Sequence, residues 1–449
     1  MPSSVNDLHS AARSLMQAAW AEGELEGAII MFDVASTPGD IGHRAQQHLA
    51  RGSNRTQRAP LRVLTFLNSF APGGVERIAA RLHAAWTIAG VDAQMVVADA
   101  SIAPPIALQA LSQVHPKPRG RGVTRFAALL RGIPAIIARQ RPDVLFCAGN
   151  TYTALAVALK LTLGPACPPI VVKISNDLVR PDMPLPLRYF YRRWLRIQGR
   201  HLDHFVGMAP AMRGEIARLV GVPQSRISVI ADPALADADL RRLAAARDAV
   251  VRARPGRHYV AVGRLAPQKN FALLLEAFAR IAKPDDTLRI LGEGPERRAL
   301  EAQAARLGIA GSVYMPGHVD PLDAWLAEAD AFVLSSDYEG VPAVVIEALA
   351  AGLPIIATDC CCSMADLLGH GTLGQLIPTG DAAALAQAMM TLAPDSGATI
   401  AARRTAAATF TIESATDKYL GLMRTLAATR AAETAPDTPR NDPIPSPAA

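Results

Sequence analysis

The chain has 449 residues, half of them hydrophobic, which exceeds one usual core and predicts two or three domains with large interiors. Its net charge of +6 is uneven, because residues 101–200 carry 15 Lys and Arg against 3 acidic residues, whereas the remainder carries a net −6. Five cysteines without a Cys-x-x-Cys pair argue against a metal or redox centre and fit a reducing cytoplasm. The basic stretch indicates an anionic partner, which could be nucleic acid, an anionic membrane face or a phosphate-bearing substrate.

Residues 1–60 are predicted to form an N-terminal extension that is partly disordered, because residues 37–60 are polar and rich in turn formers. Acidic residues near its start and the lack of an apolar core segment argue against a secretory signal. The sequence contains no run of about 18 uninterrupted apolar residues. It therefore predicts a chain that does not span a membrane.

Short apolar strands then alternate with helices in two successive units, 61–234 and 235–410, with a break at Asp232-Pro233 between them. Such alternation predicts an α/β fold in which each unit has a parallel, doubly wound sheet with helices on both faces. Ligands are expected beyond the carboxyl ends of the strands. A helix at 411–431 closes the fold, and the proline-rich segment 432–449 is predicted to be a disordered tail.

One segment joins a predicted strand at 331–334 to a short helix that ends at Gly352. Glu339 lies on the loop after the strand, and Glu347 lies one or two turns into the helix. Both carboxylates are therefore expected at the crevice beyond the sheet. There they can accept hydrogen bonds from the hydroxyls of a ribose or a sugar.

A basic loop, Gly263 to Asn270, follows the first strand of the second unit. Gly263 lets the backbone turn, and Arg264 and Lys269 flank a loop that leads into a helix N-terminus, which suits a diphosphate. Taken alone, the loop would more often be a solvated basic turn. The paired glutamates about 70 residues downstream favour the diphosphate.

Other turns after predicted strands contain further candidates for donor binding, namely Gly73, Gly74, Gly292, Gly294, Gly317, His318 and Val319. The turn 316–319 either presents backbone groups to a nucleobase or is an ordinary turn. Gly73-Gly74 opens a helix, but the third glycine of a dinucleotide fingerprint and an acid after the second strand are both missing. A nicotinamide or flavin cofactor is therefore not expected, and the pair is interpreted as allowing close approach of a phosphate or sugar.

These motifs together resemble the retaining family 4 glycosyltransferases, which have two Rossmann-like domains facing across a cleft (the GT-B fold). The resemblance rests on Gly-Gly-Val-Glu-Arg (73–77), Gly-Arg-Leu-x-x-Gln-Lys-Asn (263–270), Leu-Gly-Glu-Gly-Pro (291–295) and Glu-Gly-Val-Pro…Glu-Ala-Leu-Ala-x-Gly-Leu-Pro (339–354). It covers about residues 61–430. It implies that 61–234 is the acceptor-side domain, that 235–410 binds a nucleotide sugar, and that the helix 411–431 crosses back to the first domain.

The resemblance implies that Glu339 contacts hydroxyls of the donor sugar, helped by the backbone of Gly340-Val341-Pro342, and that Glu347 holds the ribose. Arg264 and Lys269 would neutralise the diphosphate leaving group, so that neither a metal nor another cofactor is required. Transfer with retention is expected to proceed by same-face attack, and we assign no enzyme nucleophile.

Many family members carry a histidine near the donor sugar after a strand of the first domain. The matching stretch here has none, which makes Asn176 and Asp177 the acceptor-side candidates. The segment 188–200 mixes aromatic residues and arginines at helical spacing. It is either an interfacial helix on anionic lipid, which would suit a lipid-linked acceptor, or a surface helix with its aromatic side chains packed inward.

The sequence therefore predicts a cytoplasmic glycosyltransferase with no nucleic-acid partner, either free or peripheral at the inner face of the membrane. It would move a hexose or N-acetylhexosamine from a nucleotide diphosphate sugar, UDP-linked, to a glycan, polysaccharide precursor or glycolipid. One alternative is a nucleotide-sugar epimerase, for which the first unit lacks a His–carboxylate pair. The other is a non-catalytic partner subunit, against which the intact basic loop and glutamate pair argue.

Overall fold

The computed structural model describes residues 60–70, 74–99, 111–113, 123–179, 183–250, 254–392 and 395–434. Within these residues the strands form two separate, wholly parallel sheets. This confirms the predicted α/β class with two Rossmann-like units. Apart from Pro60 and residues 432–434, the predicted extension 1–60 and tail 432–449 lie outside the described residues.

The first sheet has seven strands: β1 (Arg62–Ser69), β2 (Asp92–Asp99), β3 (Leu111–Gln113), β4 (Val144–Cys147), β5 (Ile170–Lys173), β6 (His204–Gly207) and β7 (Ile227–Val229). Five helices belong to it: α1 (Gly74–Ile88), α2 (Val123–Gln140), α3 (Thr153–Leu163), α4 (Leu185–His201) and α5 (Pro210–Val220). The spatial order is β3-β2-β1-β4-β5-β6-β7. Strands β4, β5 and β6 are buried throughout, as their continuous apolar runs predict for a sheet covered on both faces.

The second sheet has six strands: β8 (His258–Val262), β9 (Thr287–Leu291), β10 (Val313–Gly317), β11 (Ala331–Leu334), β12 (Ile355–Thr358) and β13 (Gln375–Ile377). The helices that accompany it are α6 (Asp237–Asp248), α7 (Phe271–Ala279), α8 (Arg297–Arg306), α9 (Asp323–Glu328), α10 (Ala343–Ala351), α11 (Met364–Leu367), α12 (Ala382–Met390) and α13 (Gly397–Ala407). The spatial order is β10-β9-β8-β11-β12-β13.

Both sheets change winding direction at one pair of neighbouring strands, which locates the crevice in each domain. In the first sheet β1 lies between β2 and β4, and in the second β8 lies between β9 and β11. Because ligands of doubly wound sheets bind beyond the strand ends at this switch point, the loops after β8 and β11 are the expected binding elements of the second domain.

The last helix, α14 (Ile412–Thr434), packs on the first domain, although it follows the second domain in sequence. Tyr419 is fully buried, and its ring makes edge contacts with Trp86 and Phe146 at centroid distances of 5.9 and 5.4 Å. Farther along, the Arg430 guanidinium donates to the backbone carbonyls of Ala166 and Cys167. The predicted return of this helix to the first domain is confirmed.

Two adjacent chain segments connect the domains. The amide of Ile412 donates to the Leu235 carbonyl at 2.8 Å, so the outgoing and returning segments pair side by side. Lys173, at the end of β5 and only 3% exposed, forms a 2.7 Å ion pair with Asp232 just before the outgoing segment. Arg81 on α1 donates to the Ala234 carbonyl at 2.7 Å. The segment 232–235 is therefore tied to the first domain by charge and hydrogen bonding.

The aromatic and basic helix α4 has the inward packing of one predicted arrangement, and its contact with anionic lipid stays a prediction. Tyr191 and Trp194 pack against the first-domain core, as an inward-facing surface helix would require. Leu185, Tyr189 and Phe190 are instead more than half exposed, at 77%, 57% and 54%. Across the described part of the chain, no helix has both the length and the apolarity to cross a bilayer.

Candidate active site in the interdomain cleft

The loops after β8 and β11 are hydrogen-bonded to each other at the switch point of the second sheet. The Asp337 amide donates to the Gln268 carbonyl at 2.9 Å, and the Ser335 hydroxyl donates to the Lys269 carbonyl at 2.9 Å. Asn270, in the left-handed conformation at φ 43°, caps α7 and donates through its side chain to Asp337 at 2.8 Å. The basic loop and the first glutamate therefore form one rigid unit.

Lys269 and Glu339 form an ion pair within this unit, with Nζ and Oε1 2.5 Å apart. Their side chains are 17% and 10% exposed, so both charges are substantially removed from water. The Ser336 hydroxyl donates to the same carboxylate oxygen at 2.8 Å. The pair is thus pre-positioned at the mouth of the cleft, and Oε2 of Glu339 is available to further donors.

Arg264 is exposed at the same strand end, and its guanidinium makes no hydrogen bond or ion pair to the residues that the structure describes. The lysine chain runs beside Gly263, since a Cβ at 263 would lie 3.1 Å from Lys269 Cε. A glycine at this position therefore leaves room for the lysine to reach Glu339. The exposed Arg264 guanidinium lies near Lys269, whose charge Glu339 offsets only in part, and two such cations are suited to bind a polyanion.

Glu347 lies on the second turn of α10 (Ala343–Ala351), which Gly352 caps with φ 77°. The residue is partly accessible, but its Oε2 atom is enclosed and has no hydrogen-bond partner. Burial raises the pKa of this carboxyl to about 7, although the charges of Arg77 and Arg81 act in the opposite direction. An enclosed acceptor without a donor is an arrangement that a ligand hydroxyl can complete.

Arg77 and Arg81 are four residues apart on α1 of the first domain, and their charges act on Glu347 of the second. Arg77 ends the motif 73–77, from which no role was predicted for it, and Arg81 lies outside every motif. The i, i+4 spacing places both on one face of the helix, but no local pattern indicates which face meets the other domain. Burial lowers the pKa of Arg81, which is held at the segment joining the domains.

The predicted glycine turns bring strand ends close together. A Cβ at Gly292, which has φ 148°, would lie 1.9 Å from the Gly263 carbonyl oxygen, and one at Gly294 would lie 2.3 Å from the Leu265 carbonyl oxygen. Gly317 has φ 98° and ends β10, so the turn predicted at 316–319 starts within the strand. Close packing of the loops accounts for these glycines. Donor contact at Gly292, Gly294, Gly317, His318 and Val319 stays a prediction.

On the first-domain side of the cleft, the loop after β5 contacts the second domain. Gly73 lies outside the described residues, while Gly74 begins α1, and a Cβ there would meet nothing within 4 Å. Asn176 is exposed, whereas Asp177 accepts hydrogen bonds from Cys362 of the second domain. Because Asp177 and Cys362 come from different domains, their contact could not be read from either local sequence.

Two family descriptions match the chain and together cover about two thirds of it. Residues 72–233 match "Glycosyltransferase Family 4", and residues 256–395 match "Glycosyl transferases group 1". The first match contains β2 to β7 of the first sheet, and the second match contains all six strands of the second sheet.

Two curated relatives align with part of the chain. A "Lipopolysaccharide core biosynthesis glycosyltransferase LpsE" of Rhizobium meliloti is 34% identical over 170 residues, which are 36% of this chain and 48% of the relative. A Campylobacter jejuni "N-acetylgalactosamine-N,N'-diacetylbacillosaminyl-diphospho-undecaprenol 4-alpha-N-acetylgalactosaminyltransferase" is 32% identical over 136 residues, 30% of this chain and 37% of the relative. The aligned part therefore spans less than half the length of these relatives.

Among solved structures, Anabaena Alr3699/HepE in complex with UDP and glucose has a TM-score of 0.63 and 18% sequence identity to this chain. The superposition covers 81% of this chain and 100% of that one. At this identity the likeness concerns the fold, which agrees with the two facing Rossmann-like domains.

Proposed function

Since the chain belongs to the group 1 glycosyltransferases of family 4, which have the GT-B fold, we propose that it transfers a sugar from a nucleotide diphosphate sugar to a hydroxyl acceptor with retention of configuration. The observation that carries the proposal is the Lys269–Glu339 ion pair at the switch point of the second sheet. The pair places a cation beside a carboxylate. The diphosphate of a nucleotide sugar needs the cation, and the sugar hydroxyls need a hydrogen-bond acceptor.

In the proposed reaction the bond between the anomeric carbon and the diphosphate oxygen breaks, and a bond to the acceptor oxygen forms on the same face. The acceptor proton leaves with the diphosphate. Arg264 and Lys269 neutralise the charge that grows on the departing diphosphate, which is why we propose that no metal is required. Glu339 accepts hydrogen bonds from the sugar hydroxyls and stabilises positive charge at the anomeric centre, without forming a covalent bond.

Glu347 is the proposed ribose ligand. Its unpartnered Oε2 is enclosed on α10, and a ribose hydroxyl would supply the missing donor. Glu347 lies about one turn of α10 beyond the loop that we propose contacts the sugar. A nucleotide sugar can therefore extend from Glu339 along this helix, with its ribose at Glu347. The HepE structure, which is a complex with UDP and glucose, supports a UDP-linked hexose as the donor. An N-acetylhexosamine is the second donor to test, because the Campylobacter relative is named for one.

The proposed acceptor is a glycan or a lipid-linked glycan, in line with the names of the two curated relatives. Helix α4 supports a location at the cytoplasmic face of an anionic membrane. It exposes Leu185, Tyr189 and Phe190 beside Arg192 and Arg193, which is the combination that interfacial helices use.

The proposal is tested by incubating the purified chain with a panel of UDP-, GDP- and ADP-linked sugars and measuring thermal stabilisation and nucleotide release. We expect stabilisation by UDP-sugars and release of UDP, with both effects reduced in Glu347→Ala. Glu276→Gln, at an exposed glutamate of α7 away from the cleft, is the matched control. Absence of any response to every donor would contradict the transferase assignment.

A further inference from the structure

The loop 360–363, which follows β12, is hydrogen-bonded to the backbone that carries Glu339. The Glu339 amide lies 3.3 Å from the Cys360 carbonyl, to which it donates, and the Ser363 hydroxyl donates to the Gly340 carbonyl at 2.8 Å. A displacement of the loop 360–363 would therefore shift the backbone that we propose contacts the donor sugar.

The same loop contacts the first domain through Cys362. Its amide donates to Asp177 Oδ2 at 2.9 Å, and its thiol donates to Asp177 Oδ1 at 3.2 Å. The thiol also lies 3.6 Å from Glu215 Oε2 on α5, and the Val179 amide holds the other oxygen of Glu215 at 2.6 Å. Burial raises the pKa of both carboxyls, and burial together with the two acids raises the pKa of the thiol.

The domains also touch directly beside this contact. A Cβ at Gly340 would lie 2.7 Å from the Ser175 carbonyl oxygen and 3.1 Å from Asn176 Oδ1. A larger residue at 340 would thus hold the two loops apart. The hydrogen bonds between Asp177 and Cys362 consequently form where the two domains are in contact, that is, where the cleft is closed.

We propose that Asp177 is a positioning residue, which links closure of the cleft to the geometry of the sugar-contacting loop; this inference rests on the proposed transferase function. In the closed cleft Asp177 accepts from the amide and thiol of Cys362, and the loop 360–363 holds Glu339 and Gly340 in place. When the domains separate, both hydrogen bonds are lost and the loop loses its support. Asn176, which stays exposed, keeps the acceptor-side role.

Cys362 gives a direct readout of closure, because it is exposed whereas the other four cysteines are buried. Its alkylation by N-ethylmaleimide is followed peptide by peptide by mass spectrometry. We expect slow labelling in the wild type, slower labelling with UDP, and labelling about 10-fold faster in Asp177→Ala with no UDP effect. Asp417→Asn, at an exposed acid of α14, is the matched control and should behave as wild type.

Kinetics separates positioning from a general structural role. Asp177→Ala should lower kcat about 10-fold while the Kd for UDP stays within about 2-fold of wild type, which also shows that the variant is folded. Cys362→Ser keeps a hydroxyl donor and should retain most of kcat, whereas Cys362→Ala should lose more. Adding Cys362→Ala to Asp177→Ala should lower kcat little further, because Asp177→Ala already removes the hydrogen bond that the thiol donates.

An unchanged kcat in Asp177→Ala, or additive effects in the double variant, would overturn the inference while leaving the transferase activity intact. If the wild type uses no donor, the proposed function fails, and the labelling experiment still tests the contact. The carboxylate oxygens and the thiol sulfur also lie within 4.8 Å of one another. If EDTA accelerated labelling of the wild type as much as Asp177→Ala does, a bound cation would join the domains and the hydrogen-bond account would be wrong.

Discussion

Lys269 Nζ lies 2.5 Å from Glu339 Oε1, so one ion pair joins the loop after β8 to the loop after β11. Each side chain neutralises the other in the ligand-free cleft, and both are at most 17% exposed. Because removing one member of a partly buried pair leaves the other charge uncompensated, the effects of substitution on activity and on stability have to be separated.

Glu339→Gln is expected to lower turnover about 10²-fold, since the amide keeps the shape of the side chain but loses the charge that faces the anomeric centre. It also frees the Lys269 ammonium, so the Kd for UDP should stay the same or fall. Steady-state kinetics with the donor found by screening, together with UDP titration, measures both effects. Unchanged turnover would show that Glu339 does not have the assigned role.

Lys269→Met removes the cation that we propose faces the diphosphate. We expect turnover to fall by about 10²- to 10³-fold and UDP binding to weaken, because charge on the leaving group is no longer neutralised. The uncompensated carboxylate should also reduce the free energy of unfolding by up to about 3 kcal/mol. Lys283→Met, at an exposed lysine away from the cleft, is the control for the loss of a lysine charge. Retention of full UDP affinity in Lys269→Met would refute the diphosphate contact.

UDP binding should release protons between about pH 5 and pH 7. Burial raises the pKa of Glu347 to about 7, and hydrogen bonds from ribose hydroxyls favour the ionised carboxylate. UDP affinity should therefore increase as the pH rises through this window. Titration calorimetry in two buffers with different ionisation enthalpies measures the release, which should disappear in Glu347→Gln and persist in Glu276→Gln. Equal release from wild type and Glu347→Gln would contradict ribose binding by this carboxyl.

The same raised pKa has an opposite effect on the ligand-free protein. As the pH rises from about 4.5 to about 7, the unfolded chain releases the Glu347 proton while the folded chain keeps it. The contribution of this residue therefore lowers the free energy of unfolding with rising pH and levels off above about 7. Chemical denaturation of wild type and Glu347→Gln at pH 5, 6 and 7.5 isolates the contribution of Glu347 to the free energy of unfolding. The gap between the two proteins should widen in favour of the variant as the pH rises, and a constant gap would contradict the burial of this carboxyl.

Binding of the chain to anionic vesicles should depend on α4. Each arginine near an anionic surface contributes about 1 kcal/mol, so the double variant Arg192→Gln/Arg193→Gln should bind phosphatidylglycerol-containing vesicles about 30-fold more weakly. Phe190→Ser should also weaken binding, and about 0.5 M salt should abolish much of it. Arg280→Gln/Arg298→Gln, on the second domain, is the matched control. Equal binding by both double variants would exclude α4 as the membrane-facing element.

The architecture was predictable because the signal is local and repeated. Apolar runs of four or five residues, each followed by a helix, predict parallel sheets without reference to any distant contact. The three-residue strands β3 and β13 were not predicted, because neither lies in an apolar run of four residues. The order in which strands lie beside one another, and hence the switch point between β8 and β11, follows from the structure.

The candidate site was likewise predictable only where it depends on local sequence. Glu339 and Glu347 could be assigned to a loop and a helix from one continuous segment, and the basic loop from another. The charges of Arg77 and Arg81 near Glu347, and the contact of Asp177 with Cys362, depend on how two domains face each other. Nothing in a window of ten or twenty residues encodes that relation, and α4 remained ambiguous because its two faces have opposite surroundings.

The packing of Tyr419 against Trp86 and Phe146 has a consequence for biosynthesis. The first domain is translated first, yet part of its interior is supplied by residues that leave the ribosome some 180 residues after β7 ends. Until then the nascent first domain is expected to leave one side of the Trp86 and Phe146 rings uncovered. Ribosome-bound chains that stop before residue 412 should therefore recruit chaperones, and a peptide of residues 412–434 added in trans should reduce that recruitment.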